Sequence, residues 1–149
     1  MRARLGALAL GSLLGAGAWL APVAPARAEL PPWVYGQEQR EAPLRLELEV
    51  LAVQRWPTLQ PTQLLAQVRV LAVLRQPRAG RLRPGDRLQL RYPLPPARPS
   101  GWVGPAPLPL LTPGQRVPAW LAPDPADPGL VRPAAGGRSF GPAMEAFRE

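Results

Sequence analysis

The sequence predicts a small all-β protein, a five-stranded β-barrel with a proline-rich loop on one side. Short segments alternate apolar and polar residues with the period of a strand, and Pro-Gly turns separate several of them. No segment carries the apolar period of a long helix. The chain of 149 residues has room for one domain.

The first two strands are predicted from the alternation of side chains. Residues 44–55 begin with apolar residues on one face and charged residues on the other. The alternation changes phase at Leu51, which predicts either a β-bulge or a strand end that is buried on both faces. Residues 67–75 repeat the pattern almost residue for residue, so two similar bent strands follow one another.

The other three strands are predicted from turn signals. Residues 83–86 (Arg-Pro-Gly-Asp) and 112–115 (Thr-Pro-Gly-Gln) are typical of type II turns, with proline second and glycine third. Strands are predicted at residues 87–92, 116–121 and 130–132. Pro118 has no amide hydrogen for the ladder, which predicts an edge position or a bulge.

Four segments make up the predicted organisation of the chain. They are a signal peptide (1–28), an N-terminal arm or short helix (29–43), a β-barrel domain (44–135) and a C-terminal tail (136–149). The arm has room for two helical turns, with Pro32 at the first position and Pro43 as the stop. In the tail, Met144 and Phe147 are three residues apart, which predicts one more helical turn or a frayed end.

The first 28 residues have the pattern of an export signal. Arg2 and Arg4 precede an uncharged run from residue 5 to 20, and residues 26–28 (Ala-Arg-Ala) offer small residues for cleavage. We expect cleavage after Ala28 and a periplasmic or secreted protein without a stable membrane span. An uncleaved membrane anchor is the alternative.

Residues 93–113 form a proline-rich flap, with eight prolines in 21 residues. Several apolar side chains, among them Leu94, Trp102 and Leu108, lie between the prolines. Proline-rich segments lose little entropy when they dock. We therefore expect the flap to lie across the barrel as an extended segment, in the place where an OB-type barrel carries its cap helix.

The residue types that the chain lacks exclude several kinds of chemistry. The sequence has no Cys, His or Lys, which removes disulfides, thiol nucleophiles, most zinc sites, His-based triads and Schiff bases. The net charge is +8, and removal of the leader leaves 15 Arg against 10 acidic residues, a net charge of +5. Because Arg replaces Lys throughout, the charge indicates compositional bias more than a nucleic-acid partner. We expect no cofactor and no metal.

Three runs of the chain carry a resemblance to a known family. Residues 66–75, 84–92 and 113–121 resemble, in their order, the strands of netrin-like (TIMP-like) modules, which are OB-type barrels. The resemblance covers residues 44–132 and implies a small OB-like β-barrel. The N-terminal cysteine on which protease inhibition in that family depends is absent here, so this activity is not implied. The mature chain also looks like a class of small exported proteins of photosynthetic bacteria.

Five residues are candidates for a binding surface: Trp102, Tyr92, Arg87, Arg91 and Arg69. Tryptophan is an enriched anchor at interfaces, and the neighbours of Trp102 are loop formers. Tyr92 and Trp120 lie on predicted strands, where a place in the core is the alternative.

Three carboxylates are the candidates for an alternative, catalytic site: Glu47, Glu49 and Asp86. The two glutamates lie about 7 Å apart on one strand face by the rise of a strand, a separation that resembles the acid and base of a glycosidase. Cross-strand ion pairs of these glutamates with Arg69, Arg87 and Arg91 explain the same pattern better. Asp86, like Asp124 and Asp127, lies in a turn where aspartate bonds backbone amides.

The sequence therefore favours an exported, non-enzymatic binding or structural module of the cell envelope. Its expected partner is a protein or a glycan, and the flap with the adjoining Arg-bearing strand face is the expected contact surface. A carboxylate-dependent hydrolase of polysaccharide or peptidoglycan is the alternative. Nucleic acid is not an expected partner, because Tyr92 is the only aromatic close to the arginines of the strand face and because export argues against such a partner.

Overall fold

The computed structural model describes residues 29–57, 61–98, 100–101 and 103–144. The predicted signal peptide (1–28) and Phe147 therefore lie outside the described residues, as does Trp102. The elements in chain order are α1 (Pro32–Glu41), β1 (Leu44–Trp56), β2 (Gln63–Arg75), β3 (Arg87–Pro93), β4 (Arg116–Pro123), β5 (Leu130–Pro133) and a short 3-10 helix (Gly136–Arg138). Within this part of the chain, no helix has the length and apolar character needed to span a membrane.

The five strands form one closed barrel in the order β1-β2-β3-β5-β4, with β1 also paired to β4. The pairing of β3 with β5 is parallel and the other pairings are antiparallel. The predicted fold class is confirmed as a closed, mixed, five-stranded barrel with one short N-terminal helix. Closure leaves inward side chains on each strand to fill a single core.

The phase change in β1 corresponds to a bulge. The register of β1 against β2 shifts between Val50 and Ala52, so Leu51 has no residue opposite it. An extra residue bends a strand and increases its twist. The bulge thus bends the longest hairpin of the protein, as a barrel this small requires.

The internal sequence repeat has a structural counterpart in the two Pro-Gly turns. The amide of Gly114 donates to the carbonyl of Val50, and the amide of Gly85 donates to the carbonyl of Val70, both at 2.7 Å. Val50 and Val70 are equivalent positions of the repeat. Gly114 and Gly85 have φ of 85° and 95°, as the third position of a type II turn requires. Each turn therefore pairs with the middle of one long strand.

Strand β2 begins at Gln63, four residues earlier than the sequence predicts. Leu64 and Ala66 are buried in the core, but the apolar Leu65 between them hides the alternation. In β4, Pro118 lies on the edge that faces the C-terminal segment, where its carbonyl accepts from the amide of Gly141 at 3.1 Å. β5 pairs only with residues 121–123 of β4, so the C-terminal segment, and not a barrel strand, lies beside Pro118 on this side.

Candidate functional site

Helix α1 is attached to the barrel through Arg75 at the end of β2. The guanidinium donates from Nη2 to the carbonyl of Gln39 at 2.6 Å and from Nη1 to the carbonyl of Arg40 at 2.8 Å. Carbonyls in the last turn of a helix lack partners within the helix, and a cation is favourable there. Arg75 therefore fixes the position of the helix on the barrel.

The side chain of Gln39 joins α1 to the C-terminal segment. It is buried, and its Nε2 donates to the carbonyls of Arg138 at 2.8 Å and Pro142 at 3.3 Å. Its Oε1 accepts from the amide of Met144 at 2.7 Å. These bonds keep the 3-10 helix and the residues after it against α1.

The proline-rich flap lies between α1 and the 3-10 helix. The buried Tyr35 accepts at its hydroxyl oxygen from the amide of Ala106 at 2.9 Å. On the other side the backbone of Ala106 lies so close to Gly137 that a Cβ there would be 1.9 Å from the Ala106 carbonyl oxygen. Farther along the flap, Leu108 and the buried Leu111 pack against the barrel core. Helix, flap and 3-10 helix thus form one surface.

An open groove of about 670 Å³ runs between these three segments. Leu30, Leu94 and Leu108 lie along it, together with six prolines. These prolines are Pro61, Pro93, Pro95, Pro96, Pro105 and Pro107. The charged residues that line the groove are Glu38 and Arg98. The groove is therefore mostly apolar, with a rigid proline lining and two charged side chains.

Glu38 is the least satisfied polar side chain of this groove. Its Oε2 is buried and has no hydrogen-bond partner among the described residues. Burial, and to a smaller extent the negative charge of Glu41, raises the pKa of Glu38 above its usual value of 4.5. The groove therefore contains an acceptor that the fold itself does not use.

A smaller cavity of about 340 Å³ adjoins the groove and shares Pro93, Leu108 and Gly136 with it. Arg91 lines this cavity and bonds Asp124, with distances of 2.6 Å from Nη2 and 3.1 Å from Nε to the same Oδ2. The pairing of Arg91 with the glutamates of β1, which the sequence predicts, is wrong, because the guanidinium bonds Asp124 instead. Arg91 on β3 therefore holds the loop after β4 in place through Asp124.

The bonds of Asp124 give stability a defined pH dependence. Its Oδ1 accepts from the amide of Ala126 at 2.9 Å, and this bond, followed by the pairing with Arg91, lowers the pKa of Asp124 below 3.8. A carboxyl with a lowered pKa in the folded state stabilises at pH above its unfolded value and loses this effect as the pH falls through the folded value.

We expect Asp124→Asn to reduce stability at neutral pH and to weaken the loss of stability below pH 3.8. Urea unfolding between pH 2 and 7 measures both effects. The matched control is Asp127→Asn, a change of the same kind at an exposed turn position. In this variant, stability should fall with decreasing pH as it does in the wild type. If the stability of Asp124→Asn fell at low pH as steeply as that of the wild type, Asp124 would not be the source of this pH dependence.

Tyr92, a candidate for the binding surface, lies inside the barrel. Only 1% of its surface is exposed, and its ring packs against Phe140 with centroids 5.9 Å apart. Its hydroxyl oxygen accepts from the amide of Leu111 at 3.2 Å. Burial raises the pKa of Tyr92 above 10.0. Trp120 is also buried, beneath the guanidinium of Arg45, whose Cζ lies 5.7 Å from the ring centroid.

The other arginine candidates lie on the outer face of the barrel. Arg69 Nη1 lies 3.3 Å from Glu49 Oε2, the cross-strand pair that the sequence predicts. Glu49 Oε1 lies 3.7 Å from Arg116, a partner on the opposite strand. Arg87 is exposed and stands directly opposite Arg69 in the register of β2 and β3. In the ladder of β2 and β3 this pair lies at the end opposite to Pro93, which lines the groove.

The three candidate catalytic carboxylates occupy separate environments. Glu47 lies opposite Ala72 and Pro118 in the barrel. The Asp86 carboxylate accepts from the amide of Arg83 at 2.8 Å, within its own turn. None of the three lines the groove or the adjoining cavity. In the described ranges, no group of three His, Cys, Asp or Glu residues is placed to hold a metal ion.

Sequence reasoning missed the residues of α1 and the 3-10 helix that build the groove. The sequence does contain a signal for the α1 part of the groove. Tyr35 and Gln39 are four residues apart and therefore share one face of a helix. These two are among the buried residues of α1. Gly137 gave no local signal, since its role depends on a flap residue distant in the chain.

Comparison with known proteins gives no relative from which a function can be transferred. No protein-family model matches the chain, and no curated protein is significantly similar to it.

Proposed function

We propose that the protein is a non-enzymatic binding module of the cell envelope that holds an extended, apolar segment of a partner protein. The site is the groove between α1, the flap and the 3-10 helix. The observation that carries the proposal is the lining of this open groove of about 670 Å³, which consists mainly of proline and leucine. An apolar concave surface with a few polar groups is typical of ligand sites.

The chemistry of the lining favours a protein partner over a glycan. Sugar hydroxyls must exchange their bonds to water for bonds to the site, and a lining with few hydrogen-bonding side chains offers few replacements. Apolar side chains of a peptide give up no hydrogen bonds when they leave water, and their burial is favourable. Rigid prolines also lose little conformational freedom on binding, which lowers the entropic cost of association.

The bonding of the carboxylates supports a non-enzymatic role. Glu49 is shared between two arginines, and the Asp86 carboxylate is used by its own turn. An acid and base pair needs two carboxylates that converge on one substrate position. The described cavities offer no such pair from Glu47, Glu49 and Asp86.

The proposed location outside the cytosol depends on the leader. The tripartite pattern of residues 1–28 supports export with cleavage after Ala28. N-terminal sequencing of the protein from an envelope fraction should find Glu29 first. If Met1 were the first residue in that fraction, the predicted cleavage would be wrong and residues 1–28 would be an uncleaved membrane anchor.

We assign the barrel to the OB type, as in netrin-like modules. The supporting observations are the five strands, the closure of β1 on β4 and the exchange of β4 and β5 in the barrel order. The assignment carries no activity with it, because the chain has no cysteine.

A displayed random-peptide library, selected on the purified protein, tests the proposed function. We expect the selection to enrich extended apolar sequences. Synthetic peptides with these sequences should bind the Leu30→Glu variant at least about tenfold more weakly than the wild-type protein, because the variant places a charge in an apolar groove. Leu30 lines the groove and is 37% exposed, so the variant should fold.

The matched control is Leu74→Glu, the same change at a leucine that is 50% exposed on the barrel. This variant should bind the selected peptides like the wild type. Failure to enrich any peptide, or equal weakening by the two variants, would contradict the proposed function. Binding of purified envelope polysaccharide that Leu30→Glu abolishes would contradict the choice of a protein partner.

A further inference from the structure

We propose that Glu38 gives the groove a specificity for a positive charge, so that the bound segment carries a lysine, an arginine or a terminal amine among its apolar residues. This inference rests on the proposed function of the groove and specifies the ligand class. The observation behind it is the buried Glu38 Oε2, for which the described part of the chain supplies no hydrogen-bond donor.

The Glu38 carboxylate faces the 3-10 helix. A Cβ at Gly136 would be 3.7 Å from Glu38 Oε2, and both residues line the groove. Oε2 itself is covered, so a ligand group in the groove would meet this oxygen by rotation of the carboxylate, a torsion with broad freedom.

The charges around this position favour a cation over an anion. Glu41 lies one turn along α1 and adds a second negative charge, which contributes to the raised pKa of Glu38. Arg98 lines the same groove, but it makes no hydrogen bond to Glu38 Oε2. A cationic donor from a ligand would supply the missing bond and offset the repulsion between the two glutamates.

Folding alone does not explain a carboxylate here. A buried acceptor without a donor is unfavourable, and an apolar side chain of similar size would avoid that cost. Other buried polar side chains of the same region are satisfied, Gln39 by three bonds and Ser139 by two. Two buried side-chain atoms of the described residues lack a partner, Arg75 Nε and Glu38 Oε2, and of these two residues Glu38 lines the groove.

The experiment uses three acetylated and amidated nonapeptides of alanine, leucine and proline that differ only in the central residue: lysine, norleucine or glutamate. We expect the wild-type protein to bind the lysine peptide about tenfold more tightly than the norleucine peptide, the size of effect that a charge-assisted hydrogen bond supplies. Glu38→Gln should abolish this preference.

Glu41→Gln is the matched control, because it removes the same charge from an exposed position of the same helix. It should retain the preference for lysine. The net charge of the protein is positive, so unspecific attraction would favour the glutamate peptide instead. Equal binding of the lysine and norleucine peptides, or a lysine preference that persists in Glu38→Gln, would overturn the inference and leave the groove's function standing. Absence of binding by all three peptides would overturn the inference and the proposed function together.

Discussion

Gly137→Ala is expected to displace the proline-rich flap and to lower the free energy of unfolding by about 3 kcal/mol, the upper part of the range for an overpacked site. The added Cβ would lie 1.9 Å from the carbonyl oxygen and 2.4 Å from the carbonyl carbon of Ala106. Both are backbone atoms, so no side-chain rotation relieves the clash. Movement of Ala106 would also break its bond to the hydroxyl of Tyr35.

Urea unfolding and limited proteolysis measure this effect. Cleavage within residues 93–113 should become faster in the variant, because a displaced flap exposes its backbone to the protease. Gly129→Ala is the matched control, since a Cβ at this exposed position meets one side-chain atom, Asp127 Oδ1 at 3.2 Å, and no backbone atom. Unchanged flap cleavage and unfolding in Gly137→Ala would show that this close approach does not hold the flap.

Gln39→Leu is expected to have a comparable effect, a loss of about 3 kcal/mol, because an unsatisfied buried group costs about 1–3 kcal/mol. The leucine retains the volume of the side chain but removes its bonds to the carbonyls of Arg138 and Pro142 and to the amide of Met144. The C-terminal segment should then separate from α1. Hydrogen exchange at the amide of Met144 should increase as this contact is lost.

The control for this prediction is Gln37→Leu on the same helix. Gln37 is exposed, and its side chain bonds Glu41 and Arg40 within the helix. Its replacement should change stability by at most about 0.5 kcal/mol. Equal effects of the two substitutions would mean that burial of Gln39 contributes no more than helix propensity does.

The strands and turns were predictable because the information for them is local. Alternation over a few residues defines β1, and proline followed by glycine defines the turns at Gly85 and Gly114. The phase change at Leu51 even predicted the bulge. The pairing of strands, which gives the order of the barrel, and the first residues of β2, where apolar Leu65 hides the alternation, required the structure.

The groove was not predictable because its contacts join distant parts of the chain. Gln39 bonds residues 99 to 105 positions away, and Tyr35 bonds the flap 71 positions away. Gly137 is one of two adjacent glycines whose surroundings no local pattern describes. The prediction of a contact surface at the flap stays a prediction for Trp102, which lies outside the described residues.

The residue types on the strands were easier to assign to a face than to a role. Tyr92 and Leu90 lie on the same face of β3, as the alternation predicts. That face is the barrel interior. Arg91 lies on the opposite face and was expected beside the glutamates of β1. β3 pairs with β2 and β5 but not with β1. The partner of Arg91 is Asp124, which follows β4 and whose amide donates to the carbonyl of Leu130 at the start of β5.

Nuclear magnetic resonance of the labelled protein, titrated with the lysine nonapeptide, tests the central claim most directly. The account predicts that amide shifts change at the groove, around Tyr35, Glu38 and Ala106, and stay constant at Arg69 and Arg87 on the outer barrel face. Changes confined to the arginine-bearing face, with the groove unaffected, would contradict it.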